Sequence, residues 1–278
     1  MSNRFPKDAP YHRVWQVTQR DGNAAHAIDA PLRYLKPSNV RVTVDLFHDD
    51  VPDDFIAQVF GVMSACIALG KHATAGHTFQ ILTKRPDRMR DFMTSVLPES
   101  IAYAAARYGG GIDPDGIFDQ AMRLWPRLPN VWLGTSAEDQ ATFDQRVPVL
   151  LQTPAAVRWV SLEPMLGAID PTRCRMQDYE TGSRMGYALN TLNGQSISIA
   201  TPRPWAHGSD RRLGWVVVGG ESGPGARPFD IQWARDIIAQ CQAAGVPVFV
   251  KQDFGPRSGL QGRFTDDEWA IKEYPHAS

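Results

Sequence analysis

Cysteine is scarce in this chain of 278 residues, where Cys66, Cys174 and Cys241 stand far apart. That spacing excludes the disulfide framework of a small secreted domain. Cys66 and Cys241 fall inside apolar helical patterns, so buried thiols in a reducing compartment are expected. An excess of charge is also missing: the formal net charge is -1. Nothing pulls the whole chain towards nucleic acid, and only local basic patches are left to consider. No run approaches the ~20 apolar residues of a membrane span, and MSNRFPKDAPYHRVW at the amino terminus holds no apolar core of signal-peptide length. A cytoplasmic protein with no membrane partner is expected. No internal sequence repeat exists that would suggest a solenoid.

What is present is a hydrophobic fraction of 43%, enough for one barrel-sized core. The most informative stretch runs from Trp215 to Gln252. Trp215–Gly219 is bulky, largely β-branched and without alternation, as a strand buried on both faces should be. A turn at Gly219–Gly225 follows. The spacing of Ile231, Ala234, Ile237, Ile238 and Cys241 then predicts a helix closed by Gly245. Val246–Val250 is a second buried strand ending on Lys251 and Gln252. The whole is one β-loop-α-β unit with its polar groups at the carboxyl ends of the strands, the edge where parallel α/β proteins place their chemistry.

The same pattern predicts strands at Arg41–Phe47, His77–Leu82, Asn130–Gly134 and Ala156–Leu162, with helices opening at Pro52 and Pro86. Ser136 is the expected N-cap of the helix that starts at Ala137. The fold class is therefore α/β: a parallel sheet of about six strands over residues 40–254, open or rolled into a barrel. Insertions are expected near 98–128 and 167–212. The second is a lid or a disordered excursion with one hairpin strand at Gln195–Ile199. Residues 1–39 read as an irregular segment, and 255–278 as a tail with a short helix at Asp266–Ile271.

On parallel, adjacent strands the carboxyl ends collect Asp45 and His48; Thr83, Lys84 and Arg85; Thr135 and Ser136; Ser161 and Glu163; Glu221 and Ser222; and Lys251 and Gln252. Strand-to-helix turns favour polar residues in any case, so the set carries the expectation rather than any one member. Glu163, Glu221 and Lys251, converging on one mouth with Asp45 and His48, are the candidate catalytic groups. Gly219, Gly220, Ser222, Thr83, Lys84, Thr135 and Ser136 are candidates for holding a cofactor or ligand. An anion on the Gly219–Gly225 turn, with Arg227 adding charge, would need that turn to sit at a helix amino end. Asp45, His48 and Glu163 lack metal-ligand spacing, and no metal is assigned. The basic run Lys84–Arg88 reads as a solvated helix face.

The blocks HTFQILTKRPDRM, PNVWLGTSAEDQ, VRWVSLEPMLG, WVVVGGESGPGARP, VPVFVKQ and DLFHDDVPDDFI resemble a phage-associated family of unassigned function, over about Val40 to Phe254. That family is similar to radical-SAM enzymes of the spore photoproduct lyase type, which implies a partial or incomplete parallel (β/α) barrel, radical-SAM/TIM-like, and whose cofactors are S-adenosylmethionine and a [4Fe–4S] cluster. Its members open with a Gly-Cys and a Gly-Cys-x-x-Cys-Tyr stretch before the strand that corresponds to Arg41–Phe47. No such cysteines stand there in this chain, so the resemblance implies a form without cluster or cofactor, cut short at its start or naturally degenerate. The Gly219-Gly220-Glu221 triplet resembles the Gly-Gly-Glu of radical-SAM barrels but follows a late strand instead of an early one, and no role is carried over. Three functions follow as expectations. One is a cluster-free scaffold derived from a nucleic-acid-modifying or repair enzyme. Another is a non-enzymatic accessory protein binding a nucleotide, a nucleic-acid end or a protein partner. The third is an acid/base barrel enzyme using Glu163 and Glu221.

Overall fold

A computed structural model describes residues 11–17, 28–34, 36–69, 76–111, 113–177, 184–198, 204–205 and 211–275. Its first sheet has seven strands: β1 (Tyr11–Trp15), β2 (Ser38–Val42), β3 (Thr78–Thr83), β4 (Val131–Ser136), β5 (Val157–Leu162), β10 (Trp215–Gly219) and β11 (Val248–Gln252). They lie in that order, and the pairs β1/β2, β2/β3, β5/β10 and β10/β11 are parallel. Each new strand joins the same side, which is the one-directional winding of (β/α) barrels; a doubly wound sheet reverses. Among the described residues the end strands are not paired with each other. All six strands foreseen from the sequence are in it. β1 corrects the expectation of an irregular segment over 1–39, most of the rest of which lies outside the described residues. β2 stops at Val42, short of the expected Phe47, because Asp45 folds the chain into a turn: its carboxylate accepts from Phe47 N and its carbonyl from His48 N.

The chain divides into two compact units. The first takes Met1–Thr83, Asp91–Leu133 and Pro154–Ala156. In it α1 (Asp53–Leu69) buries Ile56, Val59, Phe60 and Met63, and α3 (Pro98–Tyr108) lies against it. The contact depends on small residues. A Cβ on Gly61 would run into Ala104, and Ala65, Ala102, Ala105 and Ala121 line the seam with α4 (Pro114–Leu124). The expected insertion at 98–128 is thus a helical pair built onto α1. α2 (Pro86–Ser95) opens at its proline as predicted.

The second unit takes Lys84–Arg90, Gly134–Thr153 and Val157–Ser278. Across β5, β10 and β11 the register aligns Trp159, Trp215 and the Val217–Phe249 pair on one face, leaving Val160, Val216, Val218, Val248 and Val250 buried on the other. α6 (Ile231–Ala244) packs on β10 and β11 and closes at Gly245, whose φ of 65° is the left-handed cap expected of it. α5 (Gln140–Gln152) starts later than foreseen. Ser136 is still in β4, Ala137 N donates to Ser161 O, and Asp139 caps the helix in a capping box with Thr142. Residues 167–212 are not a bare loop, since β6 (Cys174–Gln177), β7 (Arg184–Asn190), β8 (Gln195–Ser198) and β9 (Pro204–Trp205) form an antiparallel sheet. β8 is the hairpin strand read from the sequence. After α7 (Asp266–Ala270) the tail runs along β11, with Val250 N donating to Ile271 O and Glu273 N to Val248 O, and so covers a sheet edge. All three cysteines are free and buried.

Candidate functional site

Working outward along β5, Ser161 and Glu163 follow Trp159 at two-residue steps. Glu163 carries its carboxylate just past the strand end and meets Lys251 Nζ at 2.7 Å. The two partners come from strands with β10 between them, a separation of roughly 10 Å that only two long side chains span. Lys251 is the extra residue of a β-bulge, because Val218 pairs with Val250 while Gly219 pairs with Gln252. Bulges re-aim a side chain where a strand ends, and here the ammonium is turned to Glu163. The carboxylate is 11% exposed and the lysine 31%, so the pair is held in the protein yet open to solvent on the lysine side.

A second pair closes on the end of β4. Lys84 Nζ lies 2.6 Å from Glu138, whose other oxygen accepts from Arg146 at 3.0 Å. Arg146 also donates to Ser136 O, and Glu138 O accepts from Leu166 N. Burial alone would raise the Glu138 carboxyl, but Lys84 and Arg146 outweigh it and hold the group below the ordinary carboxylate range. Ser136 belongs to the same strand end. A Cβ on Gly134 would strike the Trp159 ring, so Gly134 and, two residues on, Ser136 face the side of Trp159 and Ser161. The Ser136 hydroxyl is buried and has no hydrogen-bond partner among the described residues.

Other candidates make local contacts of their own. Glu221 does not join Glu163: it forms a bidentate pair with Arg227 (2.7 and 3.0 Å) and accepts Arg227 N, and those bonds drive its carboxyl down to about 2. An acid so low, on an exposed loop, is poorly suited to donate a proton near neutral pH. Gly219 and Gly220 serve packing. A Cβ on Gly220 would collide with Phe254 N, and Gln252, itself held by Ser258 and Gly259, bonds Gly220 O. Ser222 bridges to Gly255. The helix amino end that an anion on this turn would need is not beside it, since α6 begins only at Ile231, capped by Asp230, and Arg227 is paired with Glu221. Asp45, His48 and Thr83 lie in the first unit, where Thr83 Oγ1 donates to Asp45 at 2.7 Å and His48 Nδ1 stands 3.4 Å from Asp50. Thr135 is fully buried.

Sequence reasoning missed Glu138. Its acidic neighbourhood reads as a helix amino end, and Asp139 indeed takes the capping role; the available signal was two cations, Lys84 and Arg146, with no other carboxylate assigned to them. Asp253 was missed as well. It is buried and receives Arg263 twice (2.7 and 2.9 Å) together with Arg263 N and Phe254 N, an anchor for the loop after β11.

The [4Fe–4S] group of radical-SAM enzymes does not fit the cysteines of this chain. They sit on α1, β6 and α6, burial pushes the Cys66 and Cys241 thiols up to about 12 and raises Cys174 as well, and no group of three or more metal-ligating side chains stands together among the described residues.

A parallel sheet wound in one direction, with ion pairs gathered where strands end, defines an α/β protein of the (β/α) type. The chain belongs to the family described as "Protein of unknown function (DUF5131)", whose model matches residues 1–269. No curated protein and no solved structure matches it. No helix among the described residues is long and apolar enough to cross a membrane.

Proposed function

We propose that this is a phage or prophage protein on a scaffold of radical-SAM type, derived from a nucleic-acid-modifying or repair enzyme, which binds a nucleotide-type ligand without cluster chemistry. The carrying observation is the Glu163–Lys251 pair. A carboxylate holds a part-exposed ammonium over the carboxyl end of the sheet, where an incoming phosphate competes for the lysine. Lys84, held in the same manner by Glu138 and 60% exposed, supports the reading. The resemblance to radical-SAM enzymes supplies the expectation of a nucleoside ligand, and the cysteine geometry argues against the cluster.

Two measurements test this. Thermal-shift and calorimetric titration with S-adenosylmethionine, mononucleotides and short DNA oligonucleotides should show saturable binding by at least one class, weakened at least tenfold in Lys251→Ala; silence from the whole panel sinks the binding role. Anaerobic reconstitution with iron and sulfide should leave the protein colourless. A stable brown product with about four irons per chain would overturn the reading of the cysteines. The Arg227 clasp on Glu221 speaks against paired-glutamate acid/base catalysis.

A further inference from the structure

In the first unit one face of β1, β2 and β3 is apolar and buried, and the other is polar on β2 and β3, buried at Asn39 and Gln80 and exposed at Arg41. Trp15, Val42 and Ile81 stand side by side, as do Val40 and Phe79, and all five are buried. The opposite face carries Arg41 and Gln80, paired in register on β2 and β3. Arg41 sits within a strand flanked on both sides, a place where cover is the rule, and yet it is exposed, as is Thr43. Arg41 makes no hydrogen bond or ion pair among the described residues. Beside it Gln80 is only 5% exposed, and its amide Nε2 is buried with no partner among the described residues.

Buried donors are almost always satisfied, and leaving one empty is costly. Here an orphaned amide donor and an unpaired guanidinium spring from paired positions on the same face, about 5 Å apart. Both offer donors, and neither Arg41 nor Gln80 Nε2 bonds an acceptor among the described residues. We propose that Arg41 and Gln80 form a binding site for the carboxylate of a small molecule. The guanidinium fork takes both oxygens, and the Gln80 amide adds a third donor to one of them. One fixed positive charge beside a neutral amide matches a monoanion better than a phosphate dianion. The site lies wholly within the first unit and is independent of the strand-end reading above.

The test is a titration of the ¹⁵N-labelled chain with acetate, succinate, L-glutamate and inorganic phosphate at constant ionic strength, following the glutamine side-chain amide signals. A saturable shift is expected from at least one carboxylate in the pair of signals that Gln80→Leu removes. Arg41→Ala should weaken that binding at least tenfold with an unchanged melting temperature, and Arg41→Lys by less. Gln80→Leu, which removes the orphan, should melt higher and lose the response. The proposal fails if no carboxylate moves the Gln80 signals, if affinity survives Arg41→Ala, or if phosphate binds more tightly than every carboxylate. Since Arg41 is exposed, its variants fold and keep the test open even if Gln80→Leu does not.

Discussion

At the scale of single residues, the Glu163–Lys251 pair was legible because both residues end buried strands; what the sequence could not show is which of several glutamates the lysine takes. Chain proximity decided it against Glu221. Arg227 is six residues away on the same turn and closes a local bidentate pair, leaving Glu163 to reach across β10. Removing one charge from a partly buried pair leaves the other poorly solvated, so Glu163→Gln should lower stability by about 1–2 kcal/mol. The double variant Glu163→Gln, Lys251→Met should recover part of the loss in a double-mutant cycle read by urea unfolding. Additive losses would mean that the pair is not formed. Asp253 gives a pH prediction. Burial would raise its carboxyl, but the bonds from Arg263 and Phe254 overcome that and leave it below the ordinary value. The folded acid titrates below the unfolded one, so its stabilisation is complete above about pH 4 and is lost as pH falls through the folded value. Asp253→Asn should therefore be clearly destabilised at pH 6, with a smaller gap from the parent chain at pH 3. A gap that stays constant with pH would refute the charge argument.

At the scale of elements, the periodic signal worked wherever a segment is buried and failed where it is polar. The strands with unbroken apolar runs, β10 above all, were found nearly to the residue. Tyr11–Trp15 (YHRVW) has no such run and was missed, and β6 to β9 lie in a polar stretch where only the alternation of Gln195–Ile199 gave a hint. The start of α5 was misplaced because Ser136 and Asp139 are both good caps, and β4 consumed the first of them. Asp139→Ala should then cost about 1 kcal/mol, whereas Ser136→Ala should leave the helix untouched; urea midpoints of the two variants distinguish them. The seam of α1 and α3 makes a steric prediction. Gly61→Ala gains helix propensity in principle, yet its methyl would meet Ala104 and the backbone of α3. Overpacking of that kind costs about 1–3 kcal/mol, enough to outweigh the propensity gain, and thermal melts should show a net fall.

At the scale of the whole chain, the one-directional strand order was recoverable because each apolar run, turn and helix repeats the same local plan, and short right-handed connections leave few other orders. The partners of ionisable groups were not recoverable, because pairs such as Asp253 with Arg263 or Lys272 with Val250 depend on how the tail is laid along β11. That tail sets the alkaline behaviour. Burial against Trp269 and Phe249 lowers Lys272 to about 8, while the unfolded lysine titrates near ~10.4. Between those values the unfolded chain holds more protons, so this residue makes stability rise with pH. The buried thiols act in the opposite sense. Cys66 and Cys241 keep their protons to about 12 in the folded chain but lose them near ~8.5 when unfolded, so their contribution falls above that pH. The parent chain shows only the sum of the two trends, and Lys272→Met separates them. Its stability relative to the parent should be highest below pH 8 and decline steadily towards pH 10.5, because only the parent gains from deprotonating the amine. A difference between the two urea midpoints that is flat from pH 7 to 10.5 would place Lys272 in water and detach the tail from β11.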